Sequence, residues 1–136
     1  MYTSTHDTPT FVQWYTESAG PEQRAFAEHY LRVRFEEGFG WGAVCGAWMS
    51  VCSLAIAPLQ DILGLGTDAR MNCPGTVSDQ NWSWRVRRDA LNGEVADRLR
   101  LLGATYGRLR SWRGCGCELR RGGAIAGSRR LLAPER

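Results

Sequence analysis

The sequence predicts an α/β fold with a parallel sheet, in which helices outweigh strands. Two observations carry this. Residues 38–60, GFGWGAVCGAWMSVCSLAIAPLQ, hold no charged side chain and end in a continuous apolar stretch, LAIAPL. Such a stretch beside an apolar helix marks a parallel strand covered on both faces. Segments with helical spacing lie on either side of this run, so strand and helices alternate along the chain.

Taken in order, TPTFVQWYTES (8–18) has apolar residues at 11, 12, 14 and 15, with Thr8 as cap and Pro9 in a first helical turn. A short helix is expected. In 18–38, Pro21 and Glu22 open a longer helix whose apolar face is Ala25, Phe26, His29, Tyr30 and Val33, closed by Gly38. His29 reads as a packed or hydrogen-bonded residue. The uncharged run divides into a helix at 40–52, a turn at Ser53 and a buried strand at 54–59. It is long enough to span a bilayer. Its Gly, Ala, Ser and Cys content, Pro58, the acids Glu36, Glu37 and Asp61 at its edges, and the lack of an arginine flank argue against that. No membrane partner is expected. Residues 60–90, dense in Gly, Pro, Asn and Asp, read as a long loop, and Trp82 and Trp84 argue that it is ordered. Residues 91–108 return to helical spacing, with Val95, Leu99 and Leu102 on one side.

Composition narrows the class. At 136 residues the chain is at most one domain. All 17 basic residues are arginine, and their distribution is uneven. Residues 1–107 carry 9 Arg against 12 acids, whereas 108–136 carry 8 Arg against 2. The five cysteines, 45, 52, 73, 115 and 117, are odd in number and lack zinc-type spacing, so neither a disulfide framework nor a metal site is expected. Cys45 and Cys52 read as small buried hydrophobes. With no cleavable N-terminal signal, the expected compartment is the cytoplasm.

Single motifs are weak. Asp7 fits an N-cap or turn former. GLG at 64–66 lacks the rest of a phosphate loop and supplies turns. Trp82 and Trp84 fit either a sugar or base platform or the cover of a barrel edge. Arg85, Arg87 and Arg88 suggest nucleic acid, but Asp79 and Asp89 dilute the patch; no nucleic-acid partner is expected.

Several segments together say more. AIAPLQDILGLGTDARMNCPGT followed by NWSWRV resembles the C-terminal part of the bacterial 4-α-glucanotransferases, also called amylomaltases or disproportionating enzymes. YTSTHDT resembles their Thr-His-Asp segment, with Ser4 where glycine is usual, and ATYGR (104–108) resembles the segment with which many members finish. The resemblance covers roughly residues 2–108. It implies an incomplete (β/α)8 TIM barrel of the C-terminal portion only, with strands seven and eight and their helices, helix-dominated in isolation. STHDT would follow the seventh strand, LAIAPLQ would be the eighth, and 91–108 the last barrel helix. Such barrels place their sites at the C-terminal ends of strands.

The resemblance further implies transfer of an α-1,4-glucan segment to the 4-hydroxyl of an acceptor glucan or glucose, with retention and without a cofactor. Retention needs a nucleophilic carboxylate and an acid/base carboxyl. Asp7 matches a third carboxylate, the transition-state stabiliser; His6 matches its sugar-binding neighbour; Asn72 falls in the donor-sugar region. The other two carboxylates belong to earlier strands of the family barrel. The expectation is therefore a fragment, inactive alone, whose partners are a maltodextrin substrate and a missing N-terminal barrel half if that is separately encoded. The alternative is a non-catalytic carbohydrate-binding or assembly piece that complements a separate barrel fragment. Residues 109–136 read as a basic, disordered, non-family tail with at most a short helix near 128–133, either a polyanion-binding tail or the product of a shifted reading frame.

Overall fold

The computed structural model describes residues 1–31, 33 and 37–109. The tail expectations for 110–136 lie outside the described residues. Among the described residues, five α-helices follow in order: α1 (Phe11–Gln13), running on as a π-helical turn over Trp14–Ser18, α2 (Pro21–Leu31), α3 (Phe39–Met49), α4 (Leu59–Ile62) and α5 (Gly93–Thr105). The centre is α3, which packs against α1, α2, α4 and α5. Its lack of charge is the reason: Trp41, Ala43, Val44 and Ala47 are all buried, as befits a helix apolar on every side.

Two apolar clusters meet on α3. Phe11, Tyr15 and Ala43 form one, with Trp14, Leu31, Val33 and Phe39 against it. Tyr15 also donates a hydrogen bond to Glu28, and that bond together with burial holds the phenol above its usual pKa range. Trp41, Val44 and Leu102 form the other, with Leu99, Ile62 and Trp48. The Arg98 guanidinium lies 3.9 Å from the Trp41 ring centroid. The expected α5 face is thus the packed face. Asn92 caps this helix by accepting from the Val95 N–H, and Arg108 closes its far end by donating to the carbonyls of Trp48, Ser50 and Cys52 at 2.7, 2.8 and 3.1 Å.

Elsewhere the structure corrects the sequence reading. The first helix starts at Phe11, because Thr10 rather than Thr8 accepts from the Gln13 N–H. Thr8 instead closes a turn with Thr5. Gly38 does not end α2; with φ +85° it stands at the N-cap of α3. The predicted α2 face is also rotated. Ala27 is the buried residue, while Ala25, His29, Phe26 (67% exposed) and Tyr30 (64%) face outward. The cause is glycine on α3: a Cβ at Gly46 or Gly42 would overlap Leu31 or Val33, so these side chains enter α3 and set the rotation of α2.

The expected buried strand at 54–59 is reduced to one parallel bridge, Tyr2 with Ile56, carried by Ile56 N–H to Met1 O (3.0 Å) and Thr3 N–H to Ile56 O (3.2 Å). Leu54 and Ile56 are exposed, since Tyr2 covers one edge only and Pro58 turns the chain into α4. Cys52, expected inside, is exposed beyond the end of α3; Cys45 is half-buried, and burial pushes its thiol above the usual range. No helix is long and apolar enough to cross a membrane, among the described residues.

Candidate functional site

The site begins with a buried carboxylate, Asp61. Asp61 on α4 is fully buried and accepts three hydrogen bonds, from Thr3 Oγ1 and Ser4 Oγ (both 2.5 Å) and from the Phe11 N–H (2.8 Å). These donors lie on both sides of the loop that carries His6 and Asp7. Backbone and side chain of the segment after α4 then meet that loop from outside. Asn72 N–H donates to His6 O at 3.0 Å, Arg70 Nη2 donates to Asp7 O at 3.0 Å, and Asn72 Nδ2 donates to Asp7 Oδ1 at 2.6 Å.

The three sequence-predicted residues are therefore together. His6 Nε2 sits 3.4 Å from Asp7 Oδ2, and both side chains are about half exposed, at 58% and 47%. Asp7 is no helix cap; it sits in the turn that Thr5 and Thr8 close, and its carboxylate is held by an amide and open to solvent. Trp82 adds a ring 5.3 Å from the His6 ring centroid, tilted by 37°. Its φ of +64° is unusual for a bulky residue and costs about 1 kcal/mol. A 2.7 Å bond from its N–H to Met71 O helps to hold it there. An exposed aromatic face, a carboxylate, an imidazole and a carboxamide form the usual equipment for gripping a sugar ring.

The neighbouring loop holds itself. Asn81 accepts from the Cys73 N–H and donates to Thr76, while Gly64 (φ +65°) and Gly75 (φ +76°) make the turns. Trp84 lines, with Leu63, Leu65 and Val86, a cavity of about 700 Å³. Two of the three arginines suspected of nucleic-acid contact are engaged internally: Arg85 donates to the carbonyls of Trp82 and Trp84, and Arg87 pairs with Asp89.

Comparison with known proteins decides between the readings. Residues 1–91 match the family described as 4-alpha-glucanotransferase. The chain belongs to this family. The Synechocystis sp. 4-alpha-glucanotransferase is 44% identical over 108 residues, which make up 79% of this chain and 21% of that protein. The Clostridium butyricum enzyme is 38% identical over 107 residues, 79% of this chain and 22% of that protein. Among solved structures, the amylomaltase from Streptococcus agalactiae in complex with acarbose superposes with a TM-score of 0.75 at 32% identity, covering 80% of this chain and 22% of that one. The 4-alpha-glucanotransferase resemblance drawn from separate short segments is thus correct. The chain spans about a fifth of the length of these relatives, at their C-terminal end.

Sequence reasoning missed Asp61 and Arg70 as parts of the site. Asp61 was legible in one respect: it is the first charge after 23 uncharged residues, inside the otherwise apolar LQDIL. An acid in such a place is either expelled to solvent or buried with partners.

Proposed function

We propose that this chain contributes the C-terminal part of a (β/α)8 glucanotransferase barrel, over residues 1–108, with 109–136 as an appended basic tail. The reaction is transfer of an α-1,4-glucan segment to the 4-hydroxyl of an acceptor glucan or glucose, with retention. The observation that carries this reading is the Asp7 carboxylate, fixed by Asn72 and flanked by His6, beside the parallel pairing of Tyr2 with Ile56. In this scheme Asp7 binds secondary hydroxyls of the reacting sugar and stabilises the positive charge that develops on its ring in the transition state. His6 hydrogen-bonds the same sugar, and Asn72 both orients Asp7 and reaches the donor.

The nucleophile and the acid/base come from another portion of the barrel. A positioned acid or base supplies roughly 10²–10⁴ of rate, against accelerations that reach ~10¹⁷ for enzymes. Asp7 by itself falls far short, so the chain alone is inactive. Three free thiols among the described residues, Cys45, Cys52 and Cys73, suit a reducing cytoplasm.

The test mixes the chain with a relative's barrel portion that lacks the matching C-terminal segment, and follows glucose release from maltotriose. The chain alone should release none above a buffer blank, and the mixture should turn over. Glucan binding without turnover in the mixture would favour a purely carbohydrate-binding role. Turnover by the chain alone would require a different mechanism.

A further inference from the structure

Burying a carboxylate costs several kcal/mol unless hydrogen bonds replace its water, and an apolar residue of similar size would avoid the cost. Asp61 is 0% exposed, and its carboxylate is hydrogen-bonded to Thr3, Ser4 and Phe11. Its partners explain its place. Thr3 and Ser4 precede the His6–Asp7 pair, and Phe11 follows it as the first residue of α1. One side chain thus pins both ends of the loop. It is itself held on α4, whose Asp61 N–H donates to Pro58 O at 3.0 Å, two residues after the bridge residue Ile56. From the other side, α3 approaches so closely that a Cβ at Gly40 would overlap the Asp61 carbonyl oxygen.

We propose that Asp61 is a positioning residue: its carboxylate fixes the two ends of the 3–11 loop and thereby sets where the Asp7 carboxylate and the His6 ring stand relative to Asn72 and Trp82. The inference rests on the reading of Asp7 as the sugar contact. Misplacing such a contact by about 1 Å costs on the order of 10²-fold in rate, so a buried anchor has a functional reason that packing alone lacks.

The hydrogen-bond chemistry orders the variants. In Asp61→Asn the amide oxygen still accepts from the Phe11 N–H, and the amide nitrogen donates to the Thr3 and Ser4 hydroxyls, which reverse roles. In Asp61→Leu all three bonds are lost while the branching of the side chain is kept. In the double variant Thr3→Val, Ser4→Ala two are lost without touching the core.

Amide hydrogen exchange by NMR on the full chain tests this. The readouts are the Asn72 N–H, which bonds His6 O, and the Tyr106 N–H, which bonds Leu102 O and reports the α5 core. Asp61→Leu should speed Asn72 exchange at least tenfold and abolish the His6–Trp82 ring-current shift, with Tyr106 unchanged. The double variant should give a smaller change at the same places, and Asp61→Asn should stay near wild type. Should the Leu variant not fold, the double variant decides. Unchanged Asn72 exchange in the variants that fold, or Asn72 and Tyr106 rising in step, would overturn the proposal. No turnover is needed, so failure of glucan transfer leaves this test intact. Where the complemented enzyme does turn over, Asp61→Leu, or the double variant in its place, should lower kcat with little change in KM.

Discussion

The two loops that meet at Asp7 are held in opposite ways. The 3–11 loop hangs on a fully buried carboxylate and ends in a helix whose Thr10 cap is itself buried (4% exposed). The 70–84 loop is stapled by its own exposed side chains, with Asn81 spanning Cys73 and Thr76, Thr76 bonding Cys73 O, and Ser83 bonding Gln80 O. Buried bonds open only when the core opens, whereas exposed ones open locally at small cost. The difference assigns the loops separate tasks. The 3–11 loop holds Asp7 from beneath, and the 70–84 loop brings Asn72 and Trp82 against it.

Four substitutions break or sharpen this contrast, in falling order of effect. Gly40→Val drives a side chain into the Asp61 carbonyl, where backbone cannot give way. It should cost about 3 kcal/mol or more, seen as a fall in thermal midpoint together with loss of protection at Phe11. Thr10→Ala removes the cap on Gln13 N–H and should cost about 1 kcal/mol by denaturant titration. Asn81→Ala should leave global stability within about 0.5 kcal/mol. Exchange at the Cys73 N–H should nevertheless rise, because the opening is local. Arg87→Ala breaks an exposed pair with Asp89, side chains 83% and 71% exposed, and should change stability by less than about 0.5 kcal/mol. A Gly40→Val chain that melts like wild type would show that the buried anchor is no part of the core.

The sequence was most legible where chemistry and packing are local. The uncharged run announced α3 as a helix, of which Trp41, Ala43, Val44 and Ala47 are buried, and the spacing of Val95, Leu99 and Leu102 announced α5 and its packed face. That His6, Asp7 and Asn72 belong in one place came from family segments, not from spacing, since 65 residues separate Asp7 from Asn72 and no local pattern joins them. The face of α2 was misread because its rotation is set by Gly42 and Gly46 on another helix, which no periodicity within α2 encodes. The strand at 54–59 was overread because a parallel strand is defined by its neighbours, and Ile56 has Tyr2 on one edge. Asp61 was read as a flanking charge; its role appears only when residues 50 to 58 positions away fold onto it.

The central claim is that Asp7 contacts the reacting sugar most strongly in the transition state. Its most direct test is steady-state kinetics of Asp7→Asn in the chain complemented by the remaining barrel portion, with maltotriose as substrate. The variant keeps the shape of the side chain and removes its charge. The account predicts a fall in kcat of about 10³-fold or more, with KM changed by less than about threefold, because the lost interaction is made mainly in the transition state. A kcat within about threefold of wild type would contradict the account and remove Asp7 from the reaction.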